Sequence, residues 1–315
     1  MWGNAFGWKI SAGIFLMTMG FGWWLHGEMQ ITDPTSLSLD PKNLAALSPP
    51  MPAVAIVDQN DPGDAGDKYS AAVANFDDDG GACDDYAQKP QGPLPGPMQL
   101  VIDATHLSGM NLFAKDPASI VDYQADHPAL ENLARLGADM ETAALLLNRN
   151  GQTDDARKFL QAAYALGRNL FLERVDYDEF SKGMGLMDGA TTVLAEMEPA
   201  DSSRRQMLTD QQAALIDFND QRVRPIYEVL ASIDPQSIAV NAGDVYRFAT
   251  KSDERMIRVE AILKLGRYRF NSGRSADQLA APRVLRRLAQ DPDPVIRAAA
   301  KAAIDLTVEQ YRMIH

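Results

Sequence analysis

The stretch Ile10–Leu25 constrains this chain more than any other. It carries no charge and lies between Lys9 and His26-Gly27-Glu28. Extended back to Ala5, it reaches the ~20 residues a helix needs to cross ~30 Å of hydrocarbon. Trp2 and Trp8 stand at one end and Trp23 and Trp24 at the other, where amphipathic rings favour the membrane interface. Residues 1–27 therefore read as a transmembrane signal-anchor. A cleaved signal peptide is the first alternative, but the basic start is only Lys9 plus the amino terminus. No Ala-x-Ala pattern follows the apolar run either. A buried apolar helix is the second, and the terminal position and all-round apolarity count against it. Lys9 before the run, with Glu28 and Asp33 after it, puts the amino terminus in the cytoplasm. The expectation is a single-pass protein of a bacterial inner membrane, its bulk periplasmic or otherwise extracytoplasmic.

Charge bounds the partners. The net charge of −13 argues against nucleic acid. It is unevenly spread: residues 247–315 hold 14 Lys/Arg against 8 Asp/Glu, a local +6, which leaves −19 on residues 1–246. Such asymmetry suits surfaces that meet different partners or ends that attract one another, although ordinary solvated helix faces are the plainer account. The single cysteine, Cys83, forbids an internal disulfide and lies too far from the apolar run for a lipoprotein box. It is expected to face solvent.

Residues 28–97 read as a flexible Pro/Asp-rich linker, broken at Asp33-Pro34, Asp40-Pro41, Ser48-Pro49-Pro50 and Asp61-Pro62-Gly63. Pro52–Val57 is apolar enough to dock. A short helix near 67–76, with Tyr69, Val73 and Phe76 on one side, ends in Asp77-Asp78-Asp79-Gly80-Gly81. That run fails as a calcium loop, because the position for the bidentate Glu is Tyr86; a solvated acidic turn is expected. From Met98 on, helices follow with short breaks, so 98–315 is the folded domain. Leu130, Leu133, Leu136, Met140 and Leu147 stripe a helix over 129–147 that Gly151 stops. Further helices are expected over 154–174, 184–197, 204–220, 223–232, 243–250, 254–270, 282–290 and 295–313, with Pro225 in a first turn or kinking a longer helix.

Two of these stretches resemble known helical repeats. Gly151, Ala156, Leu160 and Ala163 have the spacing of the turn and second helix of a tetratricopeptide repeat, and the hairpin around 141–168 resembles one. Ala144 and Leu147 stand where that family has Gly and an aromatic, and no Pro closes the unit. The run Asp291-Pro-Asp-Pro-Val-Ile-Arg-Ala-Ala-Ala300 resembles the turn and second helix of a HEAT-type repeat, in a hairpin around 282–313. Together these resemblances cover about a fifth of the chain and imply a mostly α, α-solenoid-like array of hairpins whose surface binds other proteins.

No catalytic signature stands out. The four histidines, His26, His106, His127 and His315, lack zinc-ligand spacing, and no Walker loop, GxSxG or HExxH occurs. No cofactor and no metal is expected. Asp103, Thr105 and His106 read as turn residues, and Asp178-Glu179 as the exposed end of a helix. The glycines of Gly183-Met-Gly185-Leu-Met-Asp-Gly189 follow no strand, so they mark a loose helix start rather than a dinucleotide site. Lys264, Arg267, Tyr268, Arg269 and Arg274 form the best basic-aromatic cluster and are the candidate interaction surface. The function expected is a membrane-anchored extracytoplasmic scaffold or adaptor, with proteins of a membrane complex and the bilayer itself, through Ile10–Leu25, as partners. The alternatives are an accessory subunit whose anchor packs through Gly13, Gly20 and Gly22, and an enzyme acting on envelope glycans through Asp178 and Glu179.

Overall fold

A computed structural model describes residues 56–113, 128–233, 242–270 and 275–309. The segment Ile10–Leu25 lies outside them. Among the described residues no helix is long and apolar enough to cross a membrane. The chain is mostly helical, as expected.

The first elements are a short strand β1 (Asp61–Asp64), helix α1 (Ala65–Gln88), helix α2 (Gly96–Asp103) and strand β2 (Leu107–Gly109). The strands pair in parallel, Asp61 opposite Leu107 and Asp64 opposite Gly109. Asp64 is the N-cap of α1: its Oδ1 accepts from the Gly66 N–H at 2.9 Å and also from the Asn111 N–H at 3.1 Å. One side chain thus starts a helix and pins a distant loop.

Residues 56–97 are not the flexible spacer that their Pro and Asp content suggests. Ile56 is buried, and Gln161 donates to its carbonyl at 3.0 Å. Helix α1 runs straight through Asp77–Gly81, where a turn is expected, because Tyr69, Ala72, Phe76, Cys83 and Ala87 all bury on one side. Two glycines cost about 1 kcal/mol each in a helix, less than that apolar face gains. Cys83 is fully buried, not solvent-facing.

Helices α3 (Pro128–Arg149), α4 (Thr153–Glu173) and α5 (Tyr177–Met197) form the heart of this region. All five stripe residues of α3 are buried. Gly151, at φ +80°, ends α3 in a Schellman motif: Gln152 N–H donates to the Leu147 carbonyl and Gly151 N–H to that of Asn148. Ala156, Leu160 and Ala163 bury on α4, as the hairpin pattern requires. Helix α5 begins at Tyr177, about two turns before the expected 184. Asp176 accepts from the Glu179 N–H at 2.7 Å while Glu179 accepts from the Val175 N–H at 2.5 Å, a reciprocal cap that no hydrophobic pattern reveals. Gly183 is therefore mid-helix. A Cβ there would lie 2.6 Å from the Gly167 carbonyl oxygen and 2.8 Å from the Phe171 nitrogen, so α4 and α5 touch backbone to backbone.

Helix α6 (Ser203–Phe218) passes through a π-helical turn (Asn219–Val223) into α7 (Arg224–Ile233). Proline has no N–H to give and its ring crowds the preceding turn, so widening that turn ahead of Pro225 keeps one long helix intact. Four helices complete the described chain: α8 (Ala242–Lys251), α9 (Arg255–Tyr268), α10 (Ser275–Leu288) and α11 (Pro294–Asp305). Helix α9 packs against α7, α8, α10 and α11. Its Gly266 faces Ala303 so closely that a Cβ would sit 2.9 Å from the alanine Cβ. Pro282 lies inside α10 rather than opening it, and α11 ends at Asp305, short of the expected 313. The starts of α9 and α11 correspond: N-caps Glu254 and Asp293, Ile257 and Ile296, and Arg258 and Arg297 each stand 39 residues apart.

Candidate functional site

The basic cluster that the sequence nominates is not a surface. Lys264 and Arg267 are 3% and 5% exposed and Tyr268 is 6% exposed, because α9 is covered by helices on every side. Arg269 is committed to structure: its guanidinium donates to the carbonyl of Ala303, at 2.8 Å, and to that of Ile304, answering the negative end of α11. Arg274 lies outside the described residues. The long aliphatic stems of Lys and Arg let these residues act as packing.

The basic surface is on α10 instead. Leu285 and Leu288 bury one face of that helix, and Arg283, Arg286 and Arg287 project from the opposite face, exposed. At spacings of three and four residues the three guanidiniums share one patch. No carboxylate among the described residues pairs with any of them; Arg286 Nε donates only to the Pro282 carbonyl at 3.1 Å. The signal was present in the charge of residues 247–315, but the sequence does not say which of its basic residues stay outside.

A second polar assembly joins the two ends of the described chain. Arg174, at φ +28°, turns the chain from α4 to α5 and sends Nε to Glu254 Oε1 at 2.9 Å, with both side chains buried. Arg255 donates to the Leu172 and Glu173 carbonyls at 3.1 and 2.6 Å, capping α4, and pairs with Asp293 at 2.9 Å. Arg258 pairs with Asp291 at 2.5 Å. Glu173 accepts from the Leu112 and Phe113 N–H groups at 3.2 and 3.1 Å. These are load-sharing contacts between helix ends, since every carboxylate faces an arginine or a backbone N–H.

The remaining candidates do not converge. Asp178 is exposed and bound to Lys182 at 2.6 Å, whereas Glu179 is fully buried rather than at an exposed helix end. Burial beside Glu173 and Asp176 pushes Glu179 well above the ordinary carboxylate range. His106 is exposed, its Nδ1 2.9 Å from the Asp58 carbonyl, while Asp103 accepts from Gln99 and buried Thr105 donates to Val101. Gly183 and Gly189 are packing positions, not a nucleotide loop. An open hollow of about 450 Å³ lies at the end of α1, lined by Tyr86, Lys89 and Pro93–Pro95. Among the described residues no three His, Cys, Asp or Glu side chains are grouped to hold a metal ion.

No protein-family model, curated protein or solved structure matches the chain.

Proposed function

We propose that this chain is a membrane-anchored extracytoplasmic scaffold that recruits an acidic partner protein through the arginine face of α10. The observation that carries the reading is the set of three outward guanidiniums, Arg283, Arg286 and Arg287, without a carboxylate partner among the described residues in a protein of net charge −13. Exposed arginines are suited to partner recognition because the planar guanidinium binds carboxylates in a bidentate mode. The corresponding starts of α9 and α11, 39 residues apart, support a HEAT-like stacking of hairpins, an architecture that presents extended binding surfaces. The apolar run Ile10–Leu25 would tether the scaffold, with the amino terminus in the cytoplasm.

The test is extraction of the full chain from native membranes in mild detergent, with co-purifying proteins identified by mass spectrometry. Wild type is expected to bring down a stoichiometric acidic partner that R283E/R286E/R287E loses while keeping its circular dichroism and melting temperature. An unchanged partner set in that variant would remove the arginine face from the proposal, and recovery of the chain in the soluble fraction would remove the anchor.

A further inference from the structure

Helix α3 is packed between α1 and α5, and it turns a carboxylate toward each. Toward α1, the Asp139 carboxyl lies beside that of Asp84, which also holds the Arg135 guanidinium. Toward α5, Glu141 lies directly over Gly189, where a Cβ would press on both of its carboxylate oxygens, and Asp188 acts on it from the preceding position. Asp139 Oδ2, Glu141 Oε1 and Asp188 Oδ1 are buried and find no hydrogen-bond partner among the described residues. Two neighbouring carboxylate anions with shielded, unsatisfied oxygens are costly. Two carboxyls sharing a site with a proton on one of them are not, as paired acids show.

The other charges around α3 do not relieve the pairs. On α5, Lys182 is held by Glu131 and Asp178 at 2.8 and 2.6 Å. On α4, Arg157 pairs with Glu198, Lys158 with Asp155, and Arg168 with Gln59; Glu173 caps the Leu112–Phe113 backbone, and Asp154 is exposed. On α2, Asp103 accepts from Gln99. Arg135 is the one cation that acts on Asp139, through the ion pair it already makes with Asp84.

We infer that α3 is a proton-operated clamp: a proton on Asp139, beside Asp84, and one on Glu141, beside Asp188 and over Gly189, keep α3 seated between α1 and α5, and loss of those protons loosens it from both. Burial, then Asp188, raises Glu141 from 4.5 to about 7, and burial, then Asp84, raises Asp139 from 3.8 to about 6. A carboxyl whose pKa is higher folded than unfolded stabilises fully below its unfolded value. That stabilisation drains away as pH rises through the folded value, here between about pH 4 and pH 7. Acidification tightens this helix layer, and mild alkalinity frees it.

The experiment is hydrogen-exchange mass spectrometry on the full chain in non-ionic detergent between pH 5 and 8, corrected for intrinsic exchange, alongside thermal melts. Protection of α3 and its contacts on α1 and α5 is expected to fall with rising pH, and the melting temperature to drop by roughly 5 °C. The neutral isosteres in D139N/E141Q should abolish the dependence and melt above wild type at pH 8. Protection unchanged across the range, or a variant that melts below wild type at pH 8, would overturn the inference. A ¹³C-carboxyl titration of wild type needs no variant: midpoints for Glu141 and Asp139 near the ordinary carboxylate value would overturn it equally.

Discussion

Helices α4 and α9 are the most enclosed helices of two parts of the described chain, and the cations buried on a helix itself, Lys264 and Arg267, are on α9. Around α4, in residues 56–233, the buried polar groups other than Arg174 are acidic or neutral. Asn169 donates to Tyr69 at 3.1 Å, Glu173 caps a loop, and the carboxylates of Asp139, Glu141 and Glu179 lie close to other carboxylates. Around α9, in residues 242–309, the enclosed groups include Lys264 and Arg267, and arginines answer aspartates at the helix caps. Arg174 and Arg255 are where the two meet, since each links the end of α4 to the start of α9.

That contrast can be broken at the joint first. Glu254→Ala should cost about 3–5 kcal/mol, because it leaves the buried Arg174 without its carboxylate at a strained backbone position. A urea melt checks this, and a loss below about 1 kcal/mol would show that the halves do not lean on the pair. Within the α4 region, Gly183→Ala should cost about 1–3 kcal/mol through its clash with the Gly167 carbonyl. Gly185→Ala, two residues on and open to space, should instead gain up to about 1 kcal/mol from helix propensity. Equal effects at the two glycines would deny the close α4–α5 crossing. Within the α9 region, Asp293→Ala removes both the cap on Val295 and the partner of Arg255, and a loss of about 1–2 kcal/mol is expected. The smallest change in stability, within about 0.5 kcal/mol, belongs to R283E/R286E/R287E, whose side chains are exposed. That variant separates contact function from folding.

Much of the local structure was legible because it depends on neighbours in sequence. The leucine stripe of α3 buries as its period requires, Gly151 supplies the left-handed stop, and Asp293-Pro294 opens α11 with a side-chain cap on Val295. The early start of α5 is not legible because its signal is a pair of acids, Asp176 accepting from Glu179 N–H and Glu179 from Val175 N–H, that read equally well as an exposed helix end. Helix α1 was read as ending near Phe76 because Gly80-Gly81 and three aspartates look like a turn; its apolar face against α3 carries it to Gln88.

The sequence by itself determined a mostly helical chain, its stops and caps, the apolar amino-terminal run and the opposed charge of its two ends, all of which rest on composition or on residues a few positions apart. Only the tertiary structure decided which charges stay outside. Helix α9 is enclosed on all sides, so it shows no polar stripe to mark Lys264 and Arg267 as interior, while α10 is covered on one side and keeps Arg283, Arg286 and Arg287 in water. Burial of a side chain is set by how many helices surround its own, and that number is a property of the packed fold rather than of any stretch of sequence.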